Sequence, residues 1–106
     1  MTTTTWQSTP AGKAFLLRHG RKKKVRITWL ARARILSGQS VAQAAKACGL
    51  NPRTWAAWEH GGKAPSSRAL IPLTARYDCT TYDLVEARFT IVDPATLNVV
   101  HAGGAR

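Results

Sequence analysis

The nine residues from Asn51 to Glu59, Asn-Pro-Arg-Thr-Trp-Ala-Ala-Trp-Glu, place on one short segment the side-chain types that can read the edge of a nucleic-acid base. Asparagine caps the orphan amides of a helix start, and proline fits its first turn, so a helix is expected from Asn51-Pro52. Gly61-Gly62 should stop it after about two and a half turns. With Trp55 and Trp58 turned inward, the outward residues near its start are Asn51, Pro52, Arg53, Ala56 and Ala57. Arg53 is the one long cationic donor among them, and a guanidinium can bond guanine O6 and N7 together. Ala56 or Ala57 can meet a thymine methyl, while Asn51 or Thr54 can serve capping and phosphate contact. For Arg53 the alternative is phosphate binding without sequence information. For the two tryptophans it is stacking on single-stranded bases, against core packing.

No similar grouping points to catalysis. The chain shows no nucleophile beside a base, no carboxylate cluster and no phosphate loop, so it is not expected to be an enzyme. His19, His60 and His101 lack zinc spacing, and Cys48 and Cys79 stand 31 residues apart. Neither a metal nor a cofactor is expected.

The elements that must hold Arg53 in place show in the wider stretch from Val41 to His60. Counting Val41 as the first position, small or apolar side chains fall at the fourth, fifth, eighth, tenth, fifteenth and eighteenth: Ala44, Ala45, Cys48, Leu50, Trp55 and Trp58. These are the inward positions of two helices crossing steeply, with Gly49 where the turn between them needs a left-handed residue. Ser40 followed by Gln43 is a capping box, which starts the earlier helix at Val41. An amphipathic helix is expected before it, from Ile27 to Leu36, on Ile27, Leu30, Ala31 and Ile35. After it, a helix lies between Ser66 and Tyr77, either starting near Ile71 or bent at Pro72. A last one, about Thr81 to Ala87, follows the Thr80-x-x-Asp83 capping signature.

The stretch from about Trp29 to Val85 resembles the Xre, Cro and phage-repressor helix-turn-helix family. The likeness rests on Gly38-x-Ser40, Ala45, Gly49, Trp58-Glu59-x-Gly61 and Pro65-Ser66. It implies a mainly α fold, a five-helix repressor-like helix-turn-helix domain spanning residues 24–87. It also implies that the outward positions Asn51, Pro52, Arg53, Ala56 and Ala57 read bases, and that Arg34 pairs with Glu59. Val41 departs from the family, which often has a phosphate-contacting glutamine there. Backbone amides or Lys46 would take over that contact.

Charge supports the same partner. Sixteen Lys and Arg face five Asp and Glu, a net charge of +11, and eleven of the sixteen precede Glu59, the first acid in the chain. Such asymmetry suits a polyanion. Candidate backbone contacts are Arg21, Lys22, Lys23, Lys24, Lys46, Thr54, Lys63 and Arg68. Residues 1–23 read as a flexible basic N-terminal arm that follows the phosphates, with Trp6 as a candidate anchor and a short helical turn over Ala11 to His19.

The C-terminal part, residues 88–106, changes period. Arg88 to Val92 and Leu97 to His101 are β-favouring runs around a turn at Asp93-Pro94, which reads as a β-hairpin. Two strands alone are marginal in water. Phe89, Ile91, Leu97 and Val99 are therefore expected either to form a homodimer or to fold back on the chain's own helices. No apolar run approaches the roughly 20 residues that span a bilayer, and MTTTTWQSTP lacks the makings of a secretory signal, so the expectation is a cytoplasmic protein. The function expected is that of a sequence-specific double-stranded DNA-binding regulator, a repressor binding an inverted repeat as a dimer. The alternatives are a sequence-tolerant nucleic-acid binder, or an autoregulating antitoxin that also binds a protein toxin.

Overall fold

The computed structural model describes residues 5–60 and 62–100 and is mainly helical, with a small two-stranded antiparallel sheet. A 3-10 turn, Trp6–Ser8, leads into α1, Pro10–His19. Strand β1, Val25–Thr28, runs directly into α2, Trp29–Leu36. Next come α3, Val41–Ala47, α4, Pro52–Glu59, and α5, Ser67–Arg76. A wide turn of π type, Tyr82–Ala87, precedes β2, Phe89–Val92.

Local chemistry sets most of these boundaries. The Ser40–Gln43 capping box forms in both directions, at 2.8 and 3.1 Å. Gly49, at φ +70°, makes the left-handed turn between α3 and α4, where a side chain would be strained. Ser66 caps α5, and Pro72 lies inside that helix rather than at its start. The Thr80 hydroxyl accepts from the Asp83 amide while the Asp83 carboxylate accepts from the Thr80 amide, the reciprocal cap expected there.

Two apolar clusters share α2 as their common wall. The larger gathers Leu30 and Ala33 of α2 with Ala44, Ala45, Trp55, Trp58, Leu73, Tyr77 and Leu84. Cys48 and Leu50 pack against it half-buried, so all six inward positions of the α3–α4 pattern face this core. The second cluster joins Ile35, also of α2, to Trp6, Phe15, Val92 and Leu97, residues from both ends of the chain.

That second core corrects three expectations. The first concerns the flexible arm of residues 1–23: of its described residues 5–23, those from 5 to 19 pack on the domain. Trp6 is buried and meets Phe15 edge to face at 6.1 Å. Thr9-Pro10 is a helix start, with the Thr9 hydroxyl accepting from the Gly12 amide at 3.0 Å. A Cβ on Gly12 would run into the Trp6 carbonyl, so α1 can lie this close to the preceding turn only with glycine there.

Second, the helix expected from Ile27 begins at Trp29. Val25 and Ile27 turn to the inner side of a strand while Arg26 is exposed, and Thr28 caps the helix by accepting from the Ala31 amide at 3.1 Å. Valine, isoleucine and threonine in alternation favour a strand, but Ile27, Leu30 and Ala31 also fall at helical spacing, so the two periods overlap.

Third, the C-terminal extension is no separate hairpin. Its turn does close, with Asp93 N–H donating to Asn98 O and Val100 N–H to Ile91 O. Yet β2 pairs along its other edge with β1, Val25 opposite Val92 and Thr28 opposite Phe89. Leu97 is fully buried and the Arg32 Nε donates to its carbonyl at 2.7 Å, so its side chain packs inside the fold and not on its surface. His101 and the residues after it lie outside the described residues, as do residues 1–4 and Gly61.

Both thiols are free and stand above the usual range, chiefly through burial; Cys79 is pushed up to about 11. Because the thiolate is the reactive form, a thiol reagent at pH 8 should label half-buried Cys48 first and Cys79 only on unfolding. Trp6→Ala should cost roughly 3–5 kcal/mol in urea unfolding, as for other buried tryptophans. Leu17→Ala, at a site 91% exposed, should stay within about 0.5 kcal/mol. Equal small effects at both sites would show that the N-terminal segment adds nothing to the fold.

Candidate nucleic-acid interface

The orientation of α4 is fixed from behind by a polar network at the edge of the larger core. Arg34, on α2, donates through Nε and Nη2 to the two oxygens of Glu59, at 2.5 and 3.0 Å. Trp55 Nε1 donates to Glu59 Oε2 at 2.6 Å. Arg34 Nη1 donates to the Gln39 carbonyl at 2.9 Å, and the Tyr77 hydroxyl donates to Gln39 Oε1 at 2.6 Å. Burial, more than its charged neighbours, pushes the Tyr77 phenol up to about 12, so it is a donor throughout the ordinary pH range. The fork geometry of Arg34 against Glu59 matches the expected pair and joins α2 to the end of α4. With the two side chains only 14% and 10% exposed, the pair is largely shielded from water.

Trp55 and Trp58 occupy the core side of α4, and Trp55 meets Tyr77 edge to face at 6.0 Å. Neither presents a face for base stacking. The opposite side of α4 holds the predicted reading residues: Asn51, Pro52 and Arg53 are exposed, and Ala56 and Ala57 are half-buried. Asn51 Oδ1 accepts from the Arg53 amide at 2.8 Å, so that oxygen is engaged in capping the helix. The Arg53 guanidinium has no hydrogen-bond or ion-pair partner among the described residues. It stands in solvent on the first turn of a helix whose back is fixed.

The eight predicted backbone-contact residues are all exposed, in two groups. Lys46 and Thr54 sit on the packed pair α3 and α4, with Lys63 in the connection that follows and Arg68 in the first turn of α5. Arg21, Lys22, Lys23 and Lys24 form the turn between α1 and β1, on the side of the second core. Of the predicted dimerisation residues, Phe89, Ile91 and Val99 are half-buried and Leu97 is interior.

Sequence reasoning missed Arg18 and His19. Both line a groove of about 410 Å³ between α1 and the start of α3, together with Phe15, Ile35, Ser40 and Val41. The signal was present in Thr9-Pro10 followed by Phe15 at helical spacing, which marks α1 as a packed helix rather than an arm. Val41 lies half-buried against this groove, and the Gln43 side chain is occupied by the capping box, so the first turn of α3 offers Ser40 as its polar side chain here.

Among the described residues no group of three His, Cys, Asp or Glu could hold a metal ion, and no helix is long and apolar enough to cross a membrane. No family model, no curated protein and no solved structure matches this chain.

Glu59→Ala leaves the Arg34 charge and the Trp55 N–H without their acceptor, and should cost roughly 3–5 kcal/mol in denaturant unfolding. Replacing both partners, Arg34→Met with Glu59→Leu, should cost less than the sum of those two single replacements. Additive losses in that double-mutant cycle would deny the coupling.

Proposed function

We propose that this protein is a sequence-specific double-stranded DNA-binding regulator. In this reading α2 to α5 and the π-type turn form a repressor-like helix-turn-helix domain, with α4 as the helix that enters the major groove. The observation that carries it is α4 itself. Its core side is fixed by two buried tryptophans and the Arg34–Glu59 fork, while its outer side presents an unpartnered guanidinium beside two alanines. A rigid short helix of this kind can hold Arg53 against a guanine edge without a large loss of side-chain freedom on binding. The acid-free chain before Glu59 supplies attraction to phosphates at longer range.

The protein acts as a homodimer on an inverted repeat and, bound across a promoter in the cytoplasm, represses transcription by excluding the polymerase. The surface best suited to the dimer is the outer side of the sheet. Phe89 and Ile91 alternate there, half-buried, with the Arg26 guanidinium 3.9 Å above the Phe89 ring. Ile91→Lys should then abolish a dimer in sedimentation without unfolding the domain, since Ile91 belongs to neither core cluster.

One observation favours a second reading, a sequence-tolerant nucleic-acid binder. The turn of Arg21 to Lys24 presents four consecutive exposed cations that could bind any phosphate backbone. Selection of bound duplexes from a random library near physiological salt separates the two. Recovery of an inverted repeat supports the regulator. Tight binding without enrichment, lost as salt rises, supports the second reading. On a selected site Arg53→Ala should cost about 1–3 kcal/mol and relax one base position; an equal loss on all sequences would assign Arg53 to phosphate.

A further inference from the structure

Arg18, His19 and Lys22 form a basic cluster that the sequence pattern did not mark as a unit. Arg18 and His19 line the mouth of the groove between α1 and the start of α3, opposite Ser40 and Val41. Lys22, in the turn that follows α1, reaches back so that its Nζ lies 3.2 Å from His19 Nδ1. No acid lines the groove. An ammonium has only protons to give, so it donates to Nδ1, and the neutral ring then carries its proton on Nε2. Partial burial first, then Lys22 and Arg18, hold the His19 pKa below its ordinary value, in keeping with that neutral form. The cluster thus gathers three donor groups, a guanidinium, an ammonium and an imidazole N–H. Phe15 and Ile35 in the second core fix α1 beneath it.

We infer that Arg18, His19 and Lys22 form a clamp for the DNA phosphate backbone, seated beside the start of α3, where Val41 offers no polar group. The inference rests on the DNA-binding reading and deepens it by naming a second contact region, carried by a packed helix rather than a trailing arm. A duplex that receives α4 in its major groove has a phosphate ridge alongside, and α3, packed on α4, connects that groove to the cluster. The partner is duplex DNA because charge complementarity is matched by position: Arg18 and His19 share their groove with the start of α3, which packs on the helix that carries Arg53, and Lys22 reaches back to His19. Phosphate contacts of this kind set register and affinity without reading bases.

Lys13 provides an internal control. It is exposed on α1 and does not line the groove: the groove-lining residues Ala11, Ala14, Phe15 and Arg18 lie about 100–160° away from it around that helix at 100° per residue. Arg18→Gln, Lys22→Gln and Lys13→Gln each remove one charge from an exposed site. Binding of a duplex is measured for each variant across a series of salt concentrations. Arg18→Gln and Lys22→Gln should each reduce the steepness of log affinity against log salt by about 0.9, with affinity falling several-fold near physiological salt. Lys13→Gln should leave the steepness unchanged, and ethylation interference should show phosphates losing their effect in the two clamp variants alone. Equal changes for all three variants would overturn the clamp and leave only a diffuse positive field, with DNA binding intact. Failure of the wild-type protein to bind any duplex would overturn the DNA-binding reading and the clamp with it.

Discussion

The ion pair between Arg34 and Glu59 is the constraint on which the arrangement of helices turns. Glu59 ends α4 and Arg34 belongs to α2, yet the same carboxylate also accepts the indole N–H of Trp55, and the same guanidinium reaches the Gln39 carbonyl. One side chain therefore sets the rotation of α4 about its axis, the position of its last turn and the path of the loop before α3. Tyr77 extends the network to the end of α5. A fork of parallel hydrogen bonds resists rotation in a way that apolar packing alone does not, because its energy falls steeply with misalignment. The solvent-facing side of α4, including Arg53, is aimed by groups on its opposite side.

A second organising feature is α2. Leu30 and Ala33 face the helical core, while Ile35 faces the cluster made by Trp6, Phe15, Val92 and Leu97. Residues from near both ends of the chain thus meet on one helix. The sheet couples them further, since β1 leads directly into α2 and pairs with β2 near the other end. For a chain of 106 residues this matters energetically. Small domains bury a modest fraction of their surface, and a second cluster adds apolar burial that five short helices cannot provide by themselves.

The layout of charge follows from this arrangement. With all acids at Glu59 or later, the first half of the molecule has few internal partners for its cations. Arg34, Arg32 and Arg26 are nevertheless engaged, with a carboxylate, a backbone carbonyl and an aromatic ring respectively. The guanidinium of Arg53 and, in the α1–β1 turn, Arg21, Lys23 and Lys24 are left facing water. The proposed reading uses this second, solvent-facing group.

Much of the helical core was legible locally. Capping signatures at Ser40, Asn51 and Thr80, the left-handed glycine at 49 and the apolar spacing from Ala44 to Trp58 are short-range features. Each acts through neighbours three or four residues away, so the sequence alone determined the helix pair, its turn and the inward tryptophans. The outward position of Arg53 follows from the same spacing. Tertiary structure decided what depends on partners far along the chain. Whether Val25 to Thr28 would start a helix or form a strand depended on Val92 to Phe89 being available opposite. Whether the first residues would trail or pack depended on the pocket that Ile35, Val92 and Leu97 make for Trp6 and Phe15. Local periodicity carries no record of such pairings, because their free energy comes from burial between residues with no relation in sequence. The same reason hid Arg18 and His19: their meeting with Ser40 and Val41 exists only once α1 has docked.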